Sequence, residues 1–454
     1  MEKSLFYPLD QEGLTTLQIQ YDWKTGDVYL SASKDWDENL DWSRYNRDFY
    51  VESIKTHDAR YLNEQEVWGI FEKYDTKDYL EEVIELLRQG KHFGITCYWN
   101  KALDIKFMGN VHSRRRGINN GKHATLGGGI RRHSKDDPEL EVIIDGLNLG
   151  RAMSYKNVGA DLPMGGDKVT VIMDELDLNN MQQIGYLAFA LDSMRQETGP
   201  DTGFPPAMTD AMIDNEYSYQ YTCGPNGPLG SSGPPTAYGV FISLVEAAKF
   251  LGDDGTMDGW SFSVQGLGEV GAAYVKELAE KVPNVKIIVT DIDQKAVDAC
   301  VSEWQAKGID IKSCDPDEIL YQEVDVAGPF AMGGVIYEEM IPKLKCRIIW
   351  GSANNQIRAS SVEEEIRVAK LLEEAGILFQ ADWYQNAGGI IFAWEEVCNQ
   401  KAAKLDRVYQ AISETLPRQT RENLAEAKKL GITPTENAYR KANESLFGPL
   451  PFDK

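Results

Sequence analysis

The sequence is short of positive charge, of cysteine and histidine, and of long apolar runs. Its 454 residues hold 47 lysines and arginines against 71 aspartates and glutamates, a formal net charge of −24. This excess repels nucleic-acid phosphates and anionic lipids, so electrostatic binding to either lacks a driving force. No stretch approaches the roughly 18 apolar residues of a membrane-spanning helix, and residues 1–13 lack the pattern of a signal peptide. We therefore expect a cytoplasmic protein with no nucleic-acid or membrane partner.

Cysteine and histidine patterns point away from disulfide and metal chemistry. The six cysteines contain no CxxC pair, and their density is far below that of a secreted disulfide scaffold. The five histidines show neither an HExxH motif nor paired-ligand spacing. We expect reduced thiols and no metal site.

The first half of the chain combines strand and helix patterns. Alternation of apolar and polar residues predicts antiparallel strands over residues 16–21 and 27–31, within an aromatic-rich, acidic region of about 90 residues. Apolar residues recur at helical spacing over 140–156, and a Gly/Pro turn then precedes a predicted strand over 169–173. The segment 223–235 is the richest in glycine and proline, so we interpret it as a hinge between two domains.

After this segment the pattern becomes βαβ. Gly266, Gly268 and Gly271 follow a predicted strand and open a predicted helix, and Asp291 ends the next strand, 20 residues after the last glycine. In this context GxGxxG is typical of dinucleotide binding, since the glycines admit the pyrophosphate and the carboxylate binds the ribose hydroxyls. The alternative is a glycine turn in a βαβ unit that binds nothing. The predicted cofactor contacts are Thr236, Gly266, Leu267, Gly268, Glu269, Val270, Gly271, Asp291, Ile292 and Asn355.

Three later segments each read as a short apolar strand that runs into small or amide residues: 325–334, 346–357 and 377–389. In an open α/β sheet, ligands lie beyond the carboxyl ends of the strands. Asn355 and Asn386 are therefore candidates for contacts with nicotinamide and substrate. The alternative is that both asparagines only satisfy turn backbones.

The most specific stretch is MSYKNVGADLPMGGDK, residues 153–168, with Lys156 and Lys168 twelve residues apart. TAYGV, GLGEVG, VTDID, AMGGVI, GSANNQI and NAGGII follow in order. From about residue 126 to about residue 447 the chain resembles the glutamate/leucine/phenylalanine/valine dehydrogenase family. The first about 100 residues match no part of that family.

The resemblance implies reversible NAD-dependent oxidative deamination of an L-amino acid to a 2-oxo acid and ammonia. It implies that Lys156 binds the substrate carboxylate, that Lys168 is the general base and that Asp201 exchanges protons with the amine. The ribose carboxylate of Asp291 favours NAD over NADP, because it repels a 2′-phosphate. A homo-oligomer assembled through the first domain is also implied. The substrate-binding residues on this basis are Lys156, Met153, Gly127, Gly128, Asn386, Ile390 and Ala393.

The sequence departs from the family pattern at positions that bear on mechanism and substrate. Asp167 replaces a usual glycine, and its carboxylate either raises the pKa of Lys168 or points to solvent. Phe204 replaces a usual threonine and suggests a reshaped pocket wall. Gly127 stands where glutamate dehydrogenases carry a lysine, and Ala393 where they carry a hydroxyl. Glutamate is therefore disfavoured, and a bulky aromatic or branched amino acid is expected.

The predicted fold is α/β, with two domains around a cleft. Residues 1–215 form a mixed-sheet domain for substrate binding and oligomerisation, 230–385 form a Rossmann-type NAD-binding domain, and the C-terminal helices in 390–454 pack back on the first. Two other functions stay open. One is an amine or imine oxidoreductase in which Lys156 needs no carboxylate partner; the other is a non-catalytic NAD-binding regulatory protein, suggested by Asp167 and the unmatched N-terminus.

Overall fold

The chain forms two compact units. The computed structural model describes residues 3–45, 54–117, 124–195, 199–214 and 227–449. The chain passes from the first unit to the second after Gly230, inside the Gly/Pro-rich segment interpreted as a hinge; residues 223–226 of that segment lie outside the described residues. The first unit comprises Met1–Asn157, Pro163–Gly230 and Glu396–Lys401, and the second comprises Val158–Leu162, Ser231–Glu395 and Ala402–Lys454.

The first unit is built on a mixed seven-stranded sheet. Its order is β3-β2-β1-β4-β5-β7-β6, with antiparallel neighbours except for the parallel pair β6 and β7. The helices are α1 (Phe6–Glu12), α2 (Glu64–Lys73), α3 (Lys77–Gly90), α4 (Glu139–Gly159), α5 (Met181–Met194) and α6 (Pro206–Asp214). The strands are β1 (Thr16–Tyr21), β2 (Val28–Trp36), β3 (Lys55–Leu62), β4 (Gly94–Asn100), β5 (Ile105–Ser113), β6 (Ile130–His133) and β7 (Gly166–Ile172).

The second unit has a parallel sheet of order β10-β9-β8-β11-β12, which confirms the Rossmann-type prediction. Within the described residues, no helix is both long and apolar enough to cross a membrane. The strands are β8 (Ser261–Gln265), β9 (Lys286–Thr290), β10 (Asp310–Ser313), β11 (Val326–Pro329) and β12 (Ile348–Ile349). The helices are α7 (Gly233–Phe250), α8 (Glu269–Lys281), α9 (Gln294–Ala306), α10 (Val362–Glu374), α11 (Asp382–Gln385), α12 (Gly388–Asn399), α13 (Leu405–Leu430) and α14 (Pro434–Phe447).

The N-terminal region that matches no family pattern forms the structural base of the first unit. Its strands β1 to β4 supply more than half of the sheet, and β1 spans the predicted residues 16–21. On one face, α2 and α3 pack into a core with apolar side chains such as Leu17 and Leu80. On the other face, Trp36 and Trp42 pack against Phe189 of α5, with the rings of Trp42 and Phe189 centred 4.9 Å apart.

Strand β7 begins three residues earlier than predicted, so that Lys168 lies in a strand and not in the preceding turn. Lys168 pairs with Asn110 of β5. Glycine permits this start, because a Cβ atom on Gly166 would lie 2.1 Å from the backbone nitrogen of Ser154 in α4. Close packing of α4 on the sheet therefore decides where the strand begins.

The structure bears on two predictions for the second unit, the strand in 377–389 and the packing of the C-terminal helices. The predicted strand at the start of 377–389 forms only one bridge, Ile348 to Leu378, and the chain then turns into α11. The C-terminal helices α13 and α14 are grouped with the second unit, where a Cβ atom on Gly239 of α7 would lie 2.8 Å from Leu416 of α13. Glu396–Lys401 is grouped with the first unit, and packing of the C-terminal helices on the first domain stays a prediction. An amphipathic face specifies burial but not the surface that buries it.

The aromatic cluster around Trp42 yields a stability prediction. Trp42 is fully buried between Trp36, Tyr186 and Phe189, so Trp42→Ala leaves a large cavity. We expect it to lower the free energy of unfolding by about 3–5 kcal/mol in urea titrations followed by circular dichroism. The control is Tyr29→Ala on the exposed side of β2, for which we expect a change of less than about 0.5 kcal/mol. Equal losses in the two variants would contradict the role of this cluster.

Candidate active site

Lys168 is the central residue of a polar cluster in the first unit. Its side chain is 2% exposed, and its Nζ donates a hydrogen bond to the Gly128 carbonyl oxygen over 2.8 Å. The same Nζ forms a short ion pair and hydrogen bond with Oδ2 of Asp201. Two residues that lie 33 positions apart in the sequence are therefore joined, and their roles as base and proton carrier stay predictions.

Glycine at position 129 allows the Asp201 loop to approach Lys168. Gly129 has a φ of +96°, and a Cβ atom there would lie 2.4 Å from the Pro200 carbonyl oxygen. The backbone of β6 also holds the loop, since Ile130 N donates to the Gly199 carbonyl over 2.8 Å. Only glycine combines this conformation with this contact. The glycine-rich run before β6 is thus a docking surface for the loop that carries Asp201.

Burial and charge shift the protonation of both partners. Burial lowers the pKa of Lys168, and the Asp201 carboxylate opposes that shift. For Asp201, burial acts to raise the pKa, but the Lys168 ammonium outweighs it, so the pKa is lowered. Asp201 is therefore held ionised, while Lys168 gives up its proton more readily than an exposed lysine does. A lysine in this state can act as a general base.

Two charged residues of this cluster were missed by the sequence reasoning. Arg131 of β6 donates from Nε to Oδ2 of Asp201 over 3.2 Å and from Nη1 to Oδ1 of Asp145 over 3.1 Å. Asp145 lies on α4. The available signal was strand alternation, which places Arg131 and His133 on one face of β6.

The other predicted substrate residues of the first unit lie around Lys168. A Cβ atom on Gly128 would lie 2.7 Å from Sδ of Met153 and 3.8 Å from Nζ of Lys168. Lys156 follows Met153 by three residues on α4, so both lie on the same side of that helix. Gly127 is buried beside Gly128. The structure thus brings Met153 and Gly128 to Lys168, whereas a substrate contact for Gly127 stays a prediction.

Two of the departures from the family pattern, Asp167 and Phe204, are buried side chains. Asp167 is 0% exposed, so the expectation that it points to solvent is wrong. Strand alternation directs it away from Lys168, and it acts instead on half-buried Arg114, where it opposes the lowering of the arginine pKa by burial. The pKa of Lys168 is lowered, not raised. Phe204 is buried in a core cluster with Met208, and its effect on the pocket wall stays a prediction.

In the second unit, the glycine turn has the shape that a pyrophosphate needs. Gly266 has a φ of +101°, and a Cβ atom on Gly271 would lie 2.0 Å from the Gly266 carbonyl oxygen. These two glycines close the turn onto α8. Around Gly268, by contrast, a Cβ atom would have no atom of the described residues within 4 Å apart from its own chain neighbours, and no described side chain caps α8 there. Open space at a helix N-terminus fits a pyrophosphate group.

The acidic end of β9 is joined to the same turn. Asp291 accepts hydrogen bonds from the backbone nitrogens of Asp293 over 2.9 Å and Leu267 over 2.6 Å. These two bonds lower the pKa of Asp291, so its carboxylate is ionised beside the turn. Ile292, next to it, is 99% exposed. An ionised carboxylate and an exposed apolar side chain fit the ribose and the base of a dinucleotide.

The remaining predicted cofactor residues of this turn open α8. Glu269 and Val270 are the first two residues of that helix. Glu269 Oε2 accepts a hydrogen bond from the hydroxyl of Ser231, a residue in the segment before α7. Thr236 lies on α7, and a Cβ atom on Gly389 of α12 would lie 3.0 Å from its Oγ1. Ser231 was not predicted, because loop serines are too common to indicate a site.

Asn386 presents an acceptor suited to a ligand. Its side chain is buried, and Nδ2 donates to Ser352 O over 3.2 Å and to Oδ1 of Asn354 over 2.9 Å. Its Oδ1 has no hydrogen-bond partner among the described residues, and a buried acceptor of this kind calls for one. The backbone nitrogen of Asn355 donates a hydrogen bond to Asp382. Asn354, which the sequence reasoning missed, orients Asn386 instead, because its Oδ1 accepts the hydrogen bond from Nδ2 of that residue.

Two more predicted substrate residues lie on α12. Ile390 is buried and Ala393 is partly buried, and their separation of three residues places them on one side of the helix. Neither carries a polar group. Their contact with a substrate stays a prediction.

A glycine turn on a parallel sheet and a buried lysine–aspartate pair together define a nicotinamide-dependent oxidoreductase. A family model described as Glutamate/Leucine/Phenylalanine/Valine dehydrogenase matches residues 230–447. Leucine dehydrogenase of Thermoactinomyces intermedius is 36% identical over 300 residues, which cover 63% of this chain and 77% of that protein. Phenylalanine dehydrogenase of Lysinibacillus sphaericus is 31% identical over 335 residues, covering 71% and 83% respectively.

A solved structure agrees with these relatives. The crystal structure of L-tryptophan dehydrogenase from Nostoc punctiforme superposes with a TM-score of 0.66 at 25% identity, covering 80% of this chain and 98% of that one. The chain therefore belongs to the glutamate/leucine/phenylalanine/valine dehydrogenase family. It is an amino-acid dehydrogenase, an oxidoreductase that acts on the CH–NH2 group of small molecules.

The different surroundings of two glycines yield a prediction for cofactor binding. Gly268→Ala adds a methyl group to open space at a φ of −62°, so we expect the stability to stay within about 0.5 kcal/mol while NADH binding is lost. Gly271→Ala places its methyl group against the Gly266 carbonyl, so we expect a destabilisation of about 1–3 kcal/mol. Thermal unfolding and NADH fluorescence measure the two effects. Normal NADH affinity in Gly268→Ala would show that the pyrophosphate lies elsewhere.

Proposed function

We propose that the protein catalyses the reversible NAD-dependent oxidative deamination of a bulky apolar or aromatic L-amino acid to its 2-oxo acid and ammonia. The observation that carries the proposal is the buried ion pair of Lys168 and Asp201 beside Met153, one helical turn from Lys156. It supplies a base, a proton carrier and a cation for the substrate in one part of the first unit.

The residues of this cluster divide the reaction between them. The Lys156 ammonium pairs with the substrate carboxylate, and Asp201 takes a proton from the substrate ammonium to leave a neutral amine. Held by the glycine turn and Asp291, NAD would supply the acceptor for the hydride of Cα, and the oxidised amine is a protonated imine. Lys168 then removes a proton from the water that attacks the imine carbon, and Asp201 returns its proton to the departing ammonia. The Gly128 carbonyl, 2.8 Å from Nζ, keeps the lysine oriented.

Asp291 supports the choice of NAD over NADP. Its ionised carboxylate can accept hydrogen bonds from both ribose hydroxyls, and it repels a 2′-phosphate. Two backbone hydrogen bonds fix its orientation. These bonds lower its pKa, so the repulsion persists at neutral pH.

The proposed substrate class rests on the absence of polar side chains at positions 127 and 393. Gly127 cannot pair with a side-chain carboxylate, and Ala393 offers no hydroxyl to one. Their small size leaves volume for a large apolar group. The relatives named for leucine, phenylalanine and tryptophan support a substrate of this kind.

Assembly and location complete the proposal. The family resemblance supports a homo-oligomer formed through the first domain. The scattered cysteines without CxxC pairs support the reducing cytoplasm.

The experiment that tests this function is a panel of 2-oxo acids with ammonia, run with NADH and with NADPH. We expect the highest kcat/KM with the oxo acids of tryptophan, phenylalanine or leucine, little activity with 2-oxoglutarate, and a clear preference for NADH. Primary amines with NAD form the comparison arm. Turnover of amines without turnover of amino acids, or NADH binding without any turnover, would overturn the proposal.

Substitution of Lys168 and substitution of Lys156 are predicted to change different kinetic parameters. Lys168→Ala removes the base, so we expect kcat to fall by at least 100-fold with little change in NADH affinity. Lys156→Ala removes a charge-assisted contact worth about 1.5–3 kcal/mol, so we expect KM for the oxo acid to rise about 10- to 100-fold. Lys135→Ala, which breaks surface ion pairs with Asp104 and Asp174, serves as the control and should leave both parameters unchanged. Near-normal kcat in Lys168→Ala would refute the assignment of the base.

A further inference from the structure

We infer that Arg131 is a positioning residue for the reaction: anchored by Asp145, it holds the Asp201 carboxylate in place so that one oxygen is shared with Lys168. The inference rests on the proposed function and assigns a role that neither the family resemblance nor the relatives supply. Arg131 acts through Asp201 and Lys168 and is not itself required to touch the substrate.

The guanidinium bridges two carboxylates that come from different elements. Nε of Arg131 lies 3.2 Å from Oδ2 of Asp201, on the loop after α5. Nη1 of the same side chain lies 3.1 Å and 3.2 Å from the two carboxylate oxygens of Asp145, on α4. The rigid fork of arginine makes this double contact directional, so that fixing one end fixes the other. The carboxylate of a loop residue is thereby tied to a helix.

The carboxylate of Asp145 also contacts His133, which lies two residues after Arg131 on β6. Nε2 of His133 lies 3.3 Å from Oδ2 of Asp145, and Nδ1 lies 3.5 Å from Asp137. Burial acts to raise the pKa of Asp145, but His133 and Arg131 outweigh it, so the pKa is lowered. The anchor of Arg131 thus stays ionised. Arg131, Asp145 and Asp201 are partly buried, so solvent screens their contacts less than those of a surface pair.

The oxygen that Lys168 and Arg131 share connects the orientation of the Asp201 carboxylate with the protonation of Lys168. Oδ2 of Asp201 accepts from both Lys168 and Arg131, whereas the described contact on Oδ1 is a long one of 3.4 Å from the Thr202 hydroxyl. Oδ1 is therefore the oxygen that can serve the substrate amine. Arginine stays charged at any working pH, so of the two cations on Oδ2 only the lysine can release a proton.

The charged groups around Lys168 come from every element packed on it. The loop supplies Asp201, β6 supplies Arg131 and α4 supplies Asp145. Burial, the largest influence, lowers the pKa of Lys168; Asp201 and Asp145 raise it, and Arg131 lowers it. Without Arg131, the lysine holds its proton to a higher pH. The loss of activity should therefore be greatest at low pH and shrink as the pH rises.

Arg132 provides a matched control. It is the next residue on β6, on the opposite face of the strand, and its Nε donates to the Gly203 carbonyl over 3.2 Å. It thus contacts the backbone of the same loop without touching the Asp201 carboxylate. A variant at this position reports on loop stability alone.

The test compares Arg131→Met, Arg131→Lys and Arg132→Met in the full-length enzyme, using kcat/KM for amino-acid oxidation between pH 7 and pH 11. We expect the rising limb of the profile to move up by about one pH unit in Arg131→Met, with at least a tenfold loss near pH 8 that narrows at high pH. Arg131→Lys should recover part of the loss, and Arg132→Met should keep the wild-type limb. A loss of constant size at every pH, or equal profiles for Arg131→Met and Arg132→Met, would overturn the inference.

A second measurement separates this inference from the proposed function. Competitive labelling with acetic anhydride, followed by mass spectrometry of peptides, gives the pH dependence of Lys168 reactivity without any turnover. We expect the Lys168 titration to move to higher pH in Arg131→Met and to stay unchanged in Arg132→Met. An unmoved titration in an active enzyme would defeat the inference alone. A moved titration in a protein that turns over no amino acid would defeat the proposed function alone.

Discussion

The buried contact between Lys168 and Asp201 sets the conditions that the first unit has to meet. An ammonium with a side chain only 2% exposed is costly to bury unless a carboxylate and a further acceptor reach it. The chain provides these through Asp201 and the Gly128 carbonyl. Gly129 lets the loop approach, and Gly166 lets α4 lie against the strand that carries the lysine. Several glycines thus serve one charge pair.

The N-terminal region contributes to this arrangement without contributing chemistry. Its four strands extend the sheet on the far side from β7 and β6, and Trp36 and Trp42 pack against α5. The loop with Asp201 follows α5 in the chain. A region with no recognisable motif therefore supports the elements that carry Lys168 and Asp201, and this role explains its richness in buried aromatic side chains.

The glycine turn of the second unit is shaped by backbone conformation, whereas the polar cluster of the first unit is held together by charged side chains. Its turn leaves space at Gly268 for a pyrophosphate and closes elsewhere through Gly266 and Gly271. One ionised side chain, Asp291, is held by backbone hydrogen bonds. Local order of strand, turn and helix is enough to build such a site. For that reason the sequence motif was sufficient to predict the geometry of the turn.

The sequence by itself determined the features that depend on local order: the α/β class, the glycine turn, the acidic end of β9 and the spacing of Lys156 and Lys168. Tertiary structure decided the rest. Strand alternation and packing bury Asp167 away from Lys168, and Phe204 lies in the core. The helices α13 and α14 join the second unit, although their patterns suit any apolar surface. Arg131 and Asp145 meet only because β6 and α4 pack together, and no local pattern encodes a contact between distant elements.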